Sequence, residues 1–83
     1  MTKESIFEVI REAIVEMLPD IEMNEIRQEM SLKELGANSV DRMDIIIRAM
    51  ELINIKIPLI EFGELNSIQD IINLLFLKSN ILR

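Results

Sequence analysis

The chain has 83 residues and a formal net charge of −6, and it contains neither cysteine nor histidine. A chain of this length is expected to form one domain, residues 1–83, that buries about 60–65% of its surface on folding. Without His or Cys it lacks the usual general base, thiolate nucleophile and transition-metal ligands, which excludes most hydrolase and metalloenzyme mechanisms. The acidic balance disfavours nucleic acid and anionic lipid as partners and favours basic protein surfaces.

Hydrophobic residues make up 49% of the chain and neither Trp nor Tyr is present, so the predicted core consists of Ile, Leu, Met and Val. The N-terminus is charged, and no apolar run is long enough to cross a membrane. We therefore expect a cytoplasmic protein without membrane contact, and we expect it to be a monomer.

Apolar residues at intervals of three and four predict a first helix from Lys3 to Leu18, with Thr2 as its N-cap and Pro19 after its end. The stripe predicted to face the core comprises Ile6, Ile10, Ala13, Ile14 and Met17.

Residues 19–30 form a polar connection that is long for a compact helical domain, so a packed or functional loop is expected. Ile21, Met23 and Ile26 are its predicted contacts with the core. The next four residues, Ser31–Glu34, have the capping-box pattern of Ser followed three residues later by Glu, which predicts one short turn ending at Gly36.

A second long helix is predicted from Ser39 to Ile53 or Asn54. Four of its charged residues, Asp41, Asp44, Arg48 and Glu51, fall within an arc of about 80°. Its apolar residues spread over about 240°, far more than a surface helix needs. The excess indicates either burial on several sides or an apolar flank that faces a partner or ligand. The flank is predicted to be centred on Val40, Met43, Ile47 and Met50.

Downstream, Asn54–Ile60 is interpreted as an extended loop that reaches the core, followed by a short helical turn around Glu61–Leu65. A last helix is predicted from Ser67 to Lys78, capped by Asn66 or Ser67, with residues 79–83 frayed. The predicted fold is therefore all-α, a small bundle of three main helices and one short helix.

Ser39 has two interpretations. Serines before helices are usually N-caps, but if Asn38 is the cap, Asp41 occupies the third helical position and the Ser39 hydroxyl points outward. Nothing nearby in sequence would activate it as a nucleophile. It is better suited to carrying a modification, and a phosphate ester there would lie at the positive end of the helix dipole.

The run Ser31–Asp41, SLKELGANSVD, resembles the acyl carrier protein motif, usually written S-L-x-x-L-G-x-D-S-L-D. The resemblance extends to the helix lengths, the long first loop and the Ile-Pro loop, and so covers essentially the whole chain. It implies that Ser39 carries a 4′-phosphopantetheine arm, added from coenzyme A by a phosphopantetheinyl transferase. An acyl group would be held on the thiol of that arm, so the protein would be a carrier and not an enzyme.

Asn38 replaces the usual Asp, and Arg42 and Arg48 interrupt a face that is typically acidic. With Ile55–Leu59, this variant looks like the free-standing donor carriers of polyketide β-branching cassettes. That resemblance implies an acyltransferase and a decarboxylating ketosynthase as partners, and an acetyl group delivered to a hydroxymethylglutaryl (HMG)-synthase-like enzyme. The residues implied to contact partners are Val40, Asp41, Arg42, Met43, Asp44, Ile47 and Arg48.

Two alternatives stay open at this point. Within the same class, the chain would be a carrier for fatty-acid synthesis or for aminoacyl groups. In a different class, it would be a helical adaptor that binds a partner helix through its apolar face, with Ser39 as an ordinary cap.

Overall fold

Three α-helices dominate the structure: α1 (Lys3–Met17), α2 (Ser39–Ile53) and α3 (Ile68–Ile81). The structure is a computed structural model that describes residues 1–63, 65 and 67–81, without the side chains of residues 80 and 81. Two short 3-10 helices, Met23–Glu25 and Leu59–Phe62, lie in the connections, and the described residues contain no strand. The predicted all-α bundle is confirmed. None of its described helices has the length and apolar character needed to cross a bilayer.

The core lies where α1 packs against both α2 and α3. Its largest fully buried side chains come from all three helices: Ile6, Ile10, Ile14, Ile45, Ile68, Ile72 and Leu75. Ile57 is also buried, so the loop after α2 reaches the core as predicted. Met17, predicted to belong to the core stripe of α1, is exposed because it is the last residue of the helix.

Thr2 is the N-cap of α1, as predicted, and it forms a capping box with Ser5. The Thr2 hydroxyl accepts a hydrogen bond from the Ser5 N–H at 3.1 Å, and the Ser5 hydroxyl accepts one from the Thr2 N–H at 3.0 Å. The helix ends at Met17 with Leu18 as its C-cap, one residue before the predicted end. Pro19 follows directly and disfavours helical geometry at the residue before it.

The long 19–30 connection is packed against α3. The N–H groups of Ile68 and Gln69 donate to the carbonyls of Met30 and Gln28, each at 2.8 Å. Ile26 is buried as predicted, whereas Met23 is exposed, because it lies in a 3-10 helix that buries none of its residues. These bonds hold the segment that precedes α2 against the bundle.

The connection from α2 to α3 differs from the prediction in two places. The short helix spans Leu59–Phe62 rather than Glu61–Leu65, because Pro58 precedes its first residue with a φ of −55° that suits a helical start. The last helix runs on to Ile81 instead of fraying from Ser79, which is buried and donates its hydroxyl to the Phe76 carbonyl at 3.0 Å. Residues 82 and 83 lie outside the described residues.

At the start of α3 the Ser67 hydroxyl accepts a hydrogen bond from the Asp70 N–H at 3.1 Å. Ser67, one of the two predicted caps, therefore acts as the cap. The other candidate, Asn66, lies outside the described residues.

Candidate functional site

The segment before α2 is a rigid turn. The Ser31 hydroxyl accepts from the Glu34 N–H at 3.0 Å, and the Glu34 carboxylate accepts from the Ser31 N–H at 2.9 Å, which completes the predicted capping box. Gly36 follows with a φ of +97°, a conformation that L-residues rarely adopt. Leu32 and Ala37 are buried on either side of this glycine, so the turn is anchored to the core at both ends.

Asn38 is the N-cap of α2. Its side-chain oxygen accepts from the Asp41 N–H at 2.8 Å, and the Asp41 carboxylate accepts from the Asn38 N–H at 3.3 Å. Ser39 is therefore the first helical residue, it is exposed, and its hydroxyl has no hydrogen-bond partner in the described part of the chain. The hydroxyl is not needed for capping and is accessible for modification.

A cleft of about 570 Å³ adjoins Ser39. Its walls come from the 31–34 turn, the first two turns of α2, the 3-10 helix Leu59–Phe62 and the start of α3. Apolar side chains contribute much of its surface: Leu32, Met43, Ile46, Leu59, Phe62, Leu65 and Ile71. Polar and charged side chains line the remainder: Glu29, Ser31, Lys33, Glu34, Ser39, Arg42 and Ser67.

The outer face of α2 is apolar. Val40, Met43 and Ile47 are 65%, 43% and 39% exposed, so three of the four residues predicted to form the flank face solvent. Met50 is only 7% exposed, and its assignment to the flank is wrong. The bundle covers an arc of about 140° of the helix, from Ile45 round to Met50, and leaves the rest of the apolar surface free.

The two arginines of α2 lie in different environments. The Arg48 Nε donates to the Glu16 carboxylate of α1 at 2.9 Å, and an Nη1 lies 3.9 Å from the Glu51 carboxylate. The hydrogen bond to Glu16, together with the charges of Glu16 and Glu51, raises the pKa of Arg48 above its ordinary value. Arg42 instead lines the cleft, half-buried, with no carboxylate within 4.0 Å among the described residues.

Sequence reasoning missed the far wall of the cleft. Leu59 and Phe62 line it from the second 3-10 helix, and between them Ile60 is 87% exposed. The available signal was the position of Pro58 immediately before these apolar residues, because residues three apart share a face of a 3-10 helix.

Comparison with known proteins decides the family. The family model described as "Phosphopantetheine attachment site" matches residues 8–75. The polyketide biosynthesis acyl-carrier-protein AcpK of Bacillus subtilis (strain 168) is 40% identical over 76 residues, which cover 92% of this chain and 93% of that protein. The chain belongs to the acyl carrier protein family.

Two further comparisons agree with this assignment. The acyl carrier protein of Campylobacter concisus (strain 13826) is 31% identical over 70 residues, which cover 83% of this chain and 90% of that protein. A chain in the crystal structure of the curacin biosynthetic pathway HMG synthase in complex with acetyl donor-ACP superposes with a TM-score of 0.83. It is 33% identical, and the match covers 90% of this chain and 96% of that one.

As an acyl carrier, the protein is a substrate of a phosphopantetheinyl transferase and not a catalyst, and its cofactor is 4′-phosphopantetheine. The site fits this group. An exposed hydroxyl without a hydrogen-bond partner is free to be esterified. The adjoining cleft has both apolar and polar walls, and the arm likewise has both apolar and polar groups. When bound, the group supplies the thiol that the cysteine-free chain lacks.

Proposed function

We propose that Ser39 carries the phosphopantetheine arm and that the protein is the acetyl donor to an HMG-synthase-like enzyme in polyketide β-branching. Attachment at Ser39 is supported by its hydroxyl, which has no hydrogen-bond partner among the described residues. Asn38 caps the helix, so the Ser39 hydroxyl has no capping role. The second part is supported by the resemblance to a chain from the complex of the curacin HMG synthase with acetyl donor-ACP.

Attachment is a phosphoryl transfer. The Ser39 oxygen forms a bond to the phosphorus that carries pantetheine in coenzyme A, and the pyrophosphate bond to 3′,5′-ADP breaks. The serine proton passes to a base of the transferase, because this chain has no histidine to accept it. The carrier contributes only the position of the hydroxyl, which the cap at Asn38 and the turn before it hold at the start of α2.

The loading steps follow from the proposed role. An acyltransferase would load a malonyl group, and a decarboxylating ketosynthase would convert it to an acetyl group with release of CO₂. The HMG-synthase-like enzyme would then take that acetyl group as the donor in its condensation. A fatty-acid or peptidyl carrier would accept different cargo from different loading enzymes.

The proposed docking surface is the exposed side of α2. Val40, Met43 and Ile47 supply apolar area there, and the Asp44 carboxylate supplies negative charge. Partner surfaces with an apolar patch beside basic residues would complement it. Asp41 and Arg42 belong to the N-terminal end of this surface. Arg48 also belongs to it, but its charge is already paired with Glu16.

The attachment site is tested by intact mass after incubation with a phosphopantetheinyl transferase and coenzyme A. We expect the wild-type chain to gain the mass of one arm and Ser39→Ala to gain none. Ser31→Ala is the matched control, because Ser31 lines the same cleft but its hydroxyl is bonded to the Glu34 N–H, and this variant should still gain the arm. A wild-type chain that stays unmodified would favour the helical adaptor instead.

The donor role is tested with the arm in place. The acetyl-loaded protein is mixed with the curacin HMG synthase and a second carrier bearing an acetoacetyl group, and the products are read by mass spectrometry. Transfer of acetyl from this protein is expected. Loading by aminoacyl-delivering enzymes but not by a malonyl transferase would replace the proposal with a peptidyl carrier.

A further inference from the structure

Arg42 lies one helical turn after Ser39. Side chains three residues apart on an α-helix are neighbours, with Cβ atoms about 5–6 Å apart. Both residues also line the same cleft, so they share a surface as well as a helix.

Arg42 is half-buried yet unpaired within the described residues, unlike two other arginines. Arg11 pairs with Glu8 and lies over the Phe7 ring, and Arg48 pairs with Glu16. Among the described residues, no carboxylate lies within ion-pair distance of Arg42 to neutralise its charge. The Arg42 side chain is therefore available to an anion at the edge of the cleft.

The nearby acidic groups are engaged elsewhere or are exposed. The Asp41 carboxylate accepts from the Asn38 N–H, and the Glu34 carboxylate accepts from the Ser31 N–H. Glu29 also lines the cleft, but it is exposed and lies beyond ion-pair distance of Arg42. Lys33, a second cation of the cleft, is exposed.

We propose that Arg42 binds the phosphodiester that joins the arm to Ser39 and thereby positions the arm along the cleft. The inference rests on the proposed attachment at Ser39. A phosphodiester has one negative charge and two non-bridging oxygens, which match the planar, two-pronged donor set of a guanidinium. The helix dipole favours an anion at the same end of α2.

The proposed contact between Arg42 and the phosphodiester would reduce electrostatic repulsion. The chain already carries a net charge of −6, and the diester adds a further negative charge two residues from Asp41. Arg42 offsets that repulsion on the cleft side of the helix. The arm is then favoured along the cleft over other directions from the exposed serine, which makes Arg42 a positioning residue.

The test compares the apo chain with the chain carrying the arm by nitrogen-15 NMR of the arginine Nε–Hε groups. We expect the Arg42 signal to shift more than those of Arg11 and Arg48 when the arm is added, and we expect about 1 M salt to reduce the shift, because screening then acts within about 3 Å. An Arg42 signal that is the same in both forms would overturn the inference while leaving attachment at Ser39 intact. Absence of any added mass would overturn both.

Variants supply a second readout, the phosphorus-31 signal of the arm. Arg42→Gln should move this signal, Arg42→Lys should restore part of the wild-type position, and Arg27→Gln should leave it unchanged. Arg27 is the matched control because it is an exposed arginine that does not line the Ser39 cleft. A phosphorus signal identical in Arg42→Gln and wild type would also overturn the inference. If a variant fails to fold, the arginine NMR comparison of the wild-type chain with and without the arm still tests it.

Discussion

Helices α1 and α2 are alike in construction and opposite in surface. Each has 15 residues, begins with a capping box and buries four residues in the same core. The exposed face of α1 carries a glutamate at every fourth residue, Glu4, Glu8, Glu12 and Glu16. The exposed face of α2 carries Val40, Met43 and Ile47.

The fold does not account for this difference. Both helices bury the same number of side chains, so the additional apolar residues of α2 are not needed for the core. A cluster of exposed apolar residues on one face indicates an interaction site, whereas single exposed apolar residues are common on protein surfaces. These apolar residues begin at Val40, next to Ser39. A partner that binds the arm proposed at Ser39 would therefore also contact α2.

The largest expected difference is in the free energy of unfolding, between a variant of the core and a variant of this exposed face. Ile14→Ala in α1 should lower the free energy of unfolding by roughly 2–5 kcal/mol, since Ile14 is fully buried. Ile47→Ala in α2 should change it by only about 0.5 kcal/mol, because its side chain is partly solvated already. Urea unfolding followed by circular dichroism measures both. Equal losses would mean that the outer face of α2 contributes to the core.

Binding should show the opposite order. Ile47→Asp should raise the Kd for the curacin HMG synthase about tenfold or more, because an aspartate would lose apolar contact and bring a desolvation cost. Leu77→Asp is the matched control, since Leu77 is an exposed apolar residue on α3. Titration calorimetry with the arm-bearing protein measures both. Similar weakening by the two variants would contradict a docking surface specific to α2.

The caps of the two helices should be equivalent in stability. Asn38→Ala and Thr2→Ala should each cost about 1 kcal/mol, because each removes the side chain that caps the first turn. Ser39→Ala should cost much less, since its hydroxyl has no such bond in the described residues. Thermal unfolding compares the three variants, and a loss for Ser39→Ala as large as that for Asn38→Ala would show that Ser39 is the cap.

The smallest effect concerns the ion pair that joins the two helices. Glu16→Gln should lower the Tm slightly at low salt, because it removes the charge that pairs with Arg48. At about 1 M salt the difference should vanish through screening. The matched control is Glu12→Gln, which removes the same charge from α1 at a position without an ion pair in the described residues. A salt-independent loss specific to Glu16→Gln would indicate a packing role for that side chain.

Local pattern was sufficient for much of the fold. Thr2 and Ser31 were correctly predicted as caps because a cap is a contact between residues three apart, and spacing along the chain determines it. For α2 the sequence left Asn38 and Ser39 as alternative caps, and the structure decided for Asn38. The short helix after Pro58 was placed two residues too late because brief 3-10 segments have no periodicity to reveal their bounds.

The sequence by itself determined the three main helices and the caps at Thr2 and Ser31, since these depend on neighbours within one helical turn. Only the tertiary structure decided which part of the wide apolar arc of α2 is covered, and it buried Met50 while exposing Ile47. It also placed Arg42 at the cleft and paired Arg48 with Glu16 of α1. The reason is physical: burial and ion pairing here depend on groups that lie far apart in the chain, such as Glu16 and Arg48, and meet only when the helices pack.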